Sequence, residues 1–218
     1  ADMDEFPLIW EDASTAEVIW SINYEAGNAP LIREIYKPDP KDETTDELSW
    51  RPITTLRPLY ATSDVRRDAY YIVRNLEAGT YVVPNKYFAK TSAINTPDGV
   101  ANFKIFRTAE MYLIRAEALA MLNLGGLTDL NTLRASRGAA TGAETGAALL
   151  TAIQTERRKE LFIEGHRFFD LKRTTRTVNR TEGCSSYCSL PSTSRAWALP
   201  VPQTEIIANP NMVQNPGY

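Results

Sequence analysis

The chain has 218 residues, 24 basic and 27 acidic side chains, a formal net charge of −3, and 43% hydrophobic against 23% charged residues. That length supports one sizeable core, and the composition excludes wholesale disorder. Both signs of charge run along the whole sequence without a basic tract, which argues against nucleic acid as a partner, and no apolar run reaches the about 20 residues that span a bilayer.

In chain order, Ala1-Asp2-Met3-Asp4-Glu5 is acidic and lacks the basic and apolar regions of a signal peptide. Two readings stay open: a cytoplasmic protein, or a targeting segment upstream of this stretch. Residues Glu17 to Tyr24 are rich in β-branched and aromatic types and predict a strand. Gly27 to Leu56 carries Pro30, Pro38, Pro40, Pro52 and the charged run Lys41 to Glu47, so it reads as loops. Ser63 or Asp64 is placed to cap a short helix, and Tyr81-Val82-Val83 and Lys86-Tyr87-Phe88 read as extended pieces around Pro84.

From about residue 105 the period becomes helical. Thr108 to Leu122 places Ala109, Tyr112, Leu113, Ala116, Leu119 and Ala120 on a buried stripe, with Gly125-Gly126 as its end. The small residues at 109, 116 and 120 predict close approach of a second helix, with Tyr112 filling the space between. That partner is expected over Leu127 to Arg134, capped by Thr128 or Asp129, and a third helix over Leu149 to about Arg173. In the third, Glu156, Arg157, Arg158 and Glu160 read as a charged exposed face. Four prolines beyond Trp197 exclude a long terminal helix and predict an extended arm pinned by Trp197, Leu199 and Val201. Trp10, Trp20 and Trp197 sit in apolar contexts and read as core.

The catalytic vocabulary is thin. Glu156, Glu160 and Glu164 are spaced by four, and paired carboxylates are the machinery of glycoside hydrolysis. The interleaved Arg157, Arg158, Lys159 and Arg167 favour ion pairing instead. His166 is the only histidine, so neither a metal site with Asp170 nor a serine triad is supported, and no cofactor motif is present. Cys184 and Cys188 lie in a polar, turn-forming stretch, where a local disulfide is feasible in an oxidising compartment and a zinc site lacks ligands.

Several long blocks together resemble the RagB/SusD family. They are Phe106-Arg107-Thr108-Ala109-Glu110-Met111-Tyr112-Leu113-Ile114-Arg115-Ala116-Glu117-Ala118, Ile153 to Leu161 running into Glu164 to Arg173, Trp197-Ala198-Leu199-Pro200-Val201-Pro202, and the Asn209-Pro210-Asn211 to Tyr218 ending. Weaker matches are Ser63-Asp64-Val65-Arg66 and Lys86-Tyr87. The resemblance implies a mostly α fold, the C-terminal part of a SusD-like tetratricopeptide-type helical protein with short strands and long loops. It further implies a single SusD-like C-terminal domain over 1–218, with a loop-rich, ligand-facing part at 1–104 and a helical part with an extended arm at 105–218.

The function it implies is non-enzymatic capture of oligo- or polysaccharide at the outer-membrane surface, without cofactor or metal. Delivery would be to a TonB-dependent, SusC-like transporter, with membrane attachment only through a lipid anchor that this stretch does not carry. Signature residues Arg107, Glu110, Arg115, Glu156, Arg157 and Arg167, with Asp64 and Arg66, are expected in internal ion pairs and helix-end hydrogen bonds. Sugar rings stack on flat aromatic faces and need polar groups for their hydroxyls. In the loop region from Asn28 to Arg57, Tyr36 and Trp50 are the candidate platforms, with Asn28, Arg33 and Arg51 as hydrogen-bonding neighbours. The competing readings are a helical scaffold for a protein partner and, last, a glycoside hydrolase.

Overall fold

The computed structural model describes residues 1–25, 52–76, 79–87 and 101–218. They form two compact units, Ala1–Glu164 and Gly165–Tyr218.

The first unit opens with α1 (Phe6–Trp10), started by Pro7 in its first turn, and β1 (Val18–Ile22), the strand expected within residues 17–24. Then come α2 (Arg66–Tyr70), β2 (Tyr71–Leu76), β3 (Gly79–Pro84) and β4 (Phe103–Arg107). Each strand finds one antiparallel partner: β1 with β4 through an irregular register that includes Trp20 opposite Phe106, and β2 with β3 from Tyr71 opposite Pro84 to Leu76 opposite Gly79. Lys86-Tyr87 is a turn, not the extended piece expected, with Tyr87 in the left-handed region at φ 63°. Val65, neither Ser63 nor Asp64, takes the cap position of α2, although the Asp64 carboxylate still accepts the Arg66 N–H at 3.1 Å.

Three helices complete the unit: α3 (Thr108–Met121), α4 (Leu127–Ser136) and α5 (Gly146–Glu160). Ala109, Leu113 and Ala116 of α3 pack with Leu130 and Leu133 of α4 and with Leu149 and Ile153 of α5 in one buried cluster. The small residues thus do bring the helices together, but Tyr112 stays half-buried, with the Arg115 guanidinium 5.5 Å from its ring, outside that cluster. Gly126 (φ 106°) caps α4, so Thr128 and Asp129 do not, and Asp129 pairs with Arg115 instead. A second, aromatic cluster gathers Phe6, Ile9, Trp10, Tyr60, Tyr70, Tyr71 and Tyr87.

The single long helix expected over 149–173 is two. Helix α5 stops at Glu160, and α6 (His166–Arg173) begins after Ile163 and Gly165, both at positive φ, 53° and 84°. Left-handed residues cannot continue a right-handed helix, and Gly165 takes that conformation without a Cβ penalty.

The second unit holds α6, the two-residue strands β5 (Val178–Asn179) and β6 (Ser189–Leu190), and α7 (Gln203–Ala208). Cys184 and Cys188 are disulfide-bonded. Trp197 is buried, tilted against Phe168, and donates its indole N–H to the Pro191 carbonyl. The tail is not wholly extended, because α7 interrupts it. Leu199 is 82% exposed and pins nothing. Its carbonyl instead accepts from Asn215, and the Gln214 side-chain amide brackets the Val201 backbone at 2.7 and 3.0 Å. Amide ladders, which apolar patterning does not reveal, hold the arm.

Candidate functional site

The five sequence-expected ligand residues, Asn28, Arg33, Tyr36, Trp50 and Arg51, lie outside the described residues. Their segment leaves the described chain three residues after β1 and returns at Pro52.

The acidic residues of α5 have a definite place. Glu156, Glu160 and Glu164 are buried, which overturns the expectation of an exposed charged face, and Arg157 is buried with them. Glu160 receives Arg66 at 3.0 Å, Arg107 at 2.9 Å and Arg137 at 2.9 Å. Glu164 accepts two bonds from Arg107, at 2.8 and 2.6 Å, and one from Lys86 at 2.6 Å. Glu156 meets Arg66 at 2.5 Å and Lys159 at 3.5 Å. Asp64 holds Arg66 at 2.7 Å and Lys159 at 3.1 Å. Glu17 takes Arg137 in a two-point pair at 2.8 and 2.6 Å. Among the described residues, Arg66, Arg107, Arg137, Lys86 and Lys159 thus face Glu17, Asp64, Glu156, Glu160 and Glu164, all ten of them buried, with the Ala1 ammonium on Glu17 and Arg134 on Glu156 at the margin.

Chain topology explains the convergence. Arg107 stands at the N-cap of α3, Arg137 at the C-cap of α4, Glu160 ends α5 and Arg66 begins α2. The same groups reach the aromatic cluster. Lys86 Nζ lies 3.9 Å from the Trp10 ring centroid and 4.1 Å from that of Tyr70, and the Arg137 guanidinium lies 4.1 Å from Phe6. Tyr60 and Tyr70 donate to the carbonyls of Lys159 and Glu160, each at 2.9 Å. The network therefore joins the aromatic core to the three-helix core.

Its electrostatics are one-sided. Burial pushes the Glu160 carboxyl up, but Arg137, Arg107 and Arg66 outweigh it and hold it well below the usual carboxylate range. Glu164 is lowered likewise by Arg107 and Lys86 against its burial, and Asp64 by Arg66 and Lys159. Burial is also the largest influence on Lys86 and takes its ammonium down to about 7 against the pull of Glu164. A general acid needs a proton near neutral pH and access to substrate. Glu160 and Glu164, held ionised and buried under guanidinium groups, offer neither, and the ion pairs of Glu156, Glu160 and Glu164 account for the spacing of the three.

The expected internal pairs are present for Asp64, Arg66, Arg107 and Glu156, and for Arg115 with Asp129 at 2.6 Å and Glu110 with Arg157 at 3.7 Å. Arg167 is exposed on α6. Sequence reasoning anticipated ion pairing by Lys159, which meets Asp64 and Glu156, but missed Glu17, Lys86 and Arg137 as members. Glu17 and Arg137 are 120 positions apart, and no local pattern marks such a pair.

Two apolar surfaces are open. Trp20, expected in the core, is 54% exposed and tilts at 35° against Phe106, 5.9 Å away and 46% exposed. On α3, Met111, Ile114 and Met121 are exposed, with Leu122 just beyond it. At 100° per residue they lie opposite the buried Ala109–Leu113–Ala116 stripe, so the helix is apolar on two faces. Among the described residues no group of three or more His, Cys, Asp or Glu is placed to hold a metal ion, and no helix is long and apolar enough to cross a membrane.

The sequence profile of the SusD family matches residues 65–218. No curated protein matches. Solved structures do, over nearly the whole chain. A SusD superfamily protein of Bacteroides thetaiotaomicron is 23% identical with a TM-score of 0.75, covering 99% of this chain and 52% of that one. A SusD-like carbohydrate binding protein of Bacteroides vulgatus is 23% identical with a TM-score of 0.72, over 97% and 51%. Surface glycan-binding protein A of Bacteroides uniformis is 25% identical with a TM-score of 0.73, over 96% and 51%. The chain spans about half the length of these relatives.

Proposed function

Since the chain belongs to the SusD family, we propose that it is the C-terminal part of a surface protein that captures oligo- or polysaccharide without cleaving it. The observation that carries this reading is the family match over 65–218, together with a structural likeness to a relative named for glycan binding. The locking of Glu156, Glu160 and Glu164 into buried ion pairs supports capture over hydrolysis by those residues. In this reading the protein sits at the outer-membrane surface, lipid-anchored in its full length, and passes its glycan to a TonB-dependent, SusC-like transporter. Residues 1–104 form the ligand-facing part, where Tyr36 and Trp50 are the stacking platforms and Asn28, Arg33 and Arg51 bind hydroxyls.

A glycan-array screen of the purified chain beside Trp50→Ala and Tyr36→Ala tests this. The expected result is binding to one polysaccharide class, weakened in both variants. Binding that both variants retain removes these two residues from the site, and no binding to any glycan refutes the capture reading for this chain.

One observation favours a second role. The outer face of α3, with Met111, Ile114 and Met121 exposed, suits a protein-binding scaffold. Light scattering at high protein concentration tests it: self-association relieved by Ile114→Glu supports it, and a monodisperse monomer at all concentrations counts against it.

A further inference from the structure

The disulfide loop of the second unit presents one aromatic ring almost entirely to solvent. Tyr187 is 97% exposed, the highest value among the exposed large hydrophobic residues that the structure describes. It stands inside the ring closed by Cys184 and Cys188, with φ 54°, a left-handed conformation that a bulky side chain rarely adopts. The base of the loop is the β5–β6 ribbon, where Val178 faces Leu190 and Asn179 faces Ser189. The ribbon is extended by the Arg180 N–H donating to the Cys188 carbonyl at 2.7 Å, and the Ser189 hydroxyl donates to the Asn179 side-chain oxygen at 3.0 Å across its last pair. Inside the loop the Cys184 sulfur lies 3.2 Å from the Ser186 carbonyl oxygen.

A solvated tyrosine gains nothing from burial, so its place cannot be explained by packing. The strained backbone is expensive unless the surroundings fix it, and here a covalent ring and a strand pair do. We infer that Tyr187 is a preorganised stacking finger for a saccharide ring, a second glycan contact remote in sequence from Tyr36 and Trp50.

The surroundings select the ligand class. From Asn179 to Ser189 the loop carries no aliphatic side chain, and Tyr187 is its single aromatic residue; the rest are Asn179, Arg180, Thr181, Glu182, Gly183, Ser185, Ser186, Ser189 and the two half-cystines. A protein hot spot needs a desolvating apolar surround, which is absent from this loop. A pyranose needs a flat π-face for its C–H side and a hydrophilic rim for its hydroxyls, and the loop supplies both. Rigid aromatic anchors with few side-chain torsions also lose little entropy on binding.

The inference rests on the glycan-capture reading, and the test separates the two. Isothermal titration uses the polysaccharide class that the array selects, with the whole chain and with Tyr187→Ala, Tyr187→Phe and the Cys184→Ser/Cys188→Ser pair. Far-UV circular dichroism checks folding of each. Tyr187→Ala is expected to bind roughly three- to tenfold more weakly, as loss of one aromatic stack implies. Tyr187→Phe is expected to stay near the parent, and the serine pair to weaken while folded. Parent-like affinity of Tyr187→Ala beside a binding parent overturns this inference alone, and parent-like affinity of the folded serine pair overturns the role of the clamp. A parent chain that binds no glycan overturns both the capture reading and this one.

Discussion

Glu160→Gln should be among the most damaging single substitutions in the molecule. Glu160 is fully buried and, among the described residues, is the one carboxylate that touches Arg66, Arg107 and Arg137 together. Each arginine keeps another partner: Asp64 and Glu156 for Arg66, Glu164 for Arg107, Glu17 for Arg137. The variant therefore strands no single cation, but it removes one of the buried negative charges that these cations share. Removing one member of a buried ion pair costs about 3–5 kcal/mol. Gln keeps the shape and one acceptor, so the lower half of that range is expected. For a chain of this size each kcal/mol moves Tm by roughly 2–4 °C, giving a drop of about 6–16 °C. Thermal unfolding followed by circular dichroism, with Arg115→Ala as control, measures it. The Arg115 side chain is 64% exposed, and its loss should leave the midpoint unresolved from the parent. A Glu160→Gln midpoint that also matches the parent would refute the account of the network as the joint between the two cores.

The same carboxylates set an acid limit. Glu160, Glu164 and Asp64 have folded pKa values below their unfolded ones, so their stabilisation is complete above about pH 5 and is lost as pH falls toward the folded values. Melting curves should show Tm nearly flat from pH 7 to 5 and falling below 4, and more gently in Glu160→Gln; an identical slope in both would contradict the assignment. Two neighbouring glycines should behave differently. Gly125→Ala meets only backbone strain at φ 110°, with open space around its new Cβ, and should cost about 1 kcal/mol. Gly126→Ala, at φ 106°, adds a clash of its new Cβ with the backbone carbonyl oxygen of Ala116 in α3, and should cost at least about twice that in urea titration; equal costs would refute the close approach.

What the sequence made legible follows from the range of each interaction. The stripe Ala109, Leu113, Ala116 is local and periodic, and it gave α3 and its buried face correctly. The β-branched run at 18–22 did the same for β1. The break at Ile163 and Gly165 was missed because the apolar pattern continues through Leu161, Phe162, Phe168 and Phe169, and only backbone dihedrals betray the turn. Charge was misjudged most. Glu156 and Arg157 look solvated on their own helix, and their burial goes with partners from other elements, Arg66 of α2 for Glu156 and Glu110 of α3 for Arg157. Trp20 erred in the opposite sense: an apolar strand context reads as core, yet a two-stranded ribbon leaves a face uncovered. The proposed ligand residues at 28–51 rest on aromatic and polar composition alone.

The measurement that bears most directly on the central claim is titration of the purified chain with an oligosaccharide of the class picked by the array, followed by chromatography of the recovered sugar. The account predicts saturable binding, weaker in Trp50→Ala, and sugar recovered at its original length. Shortened sugar, or no heat of binding across the array's candidates, would contradict it.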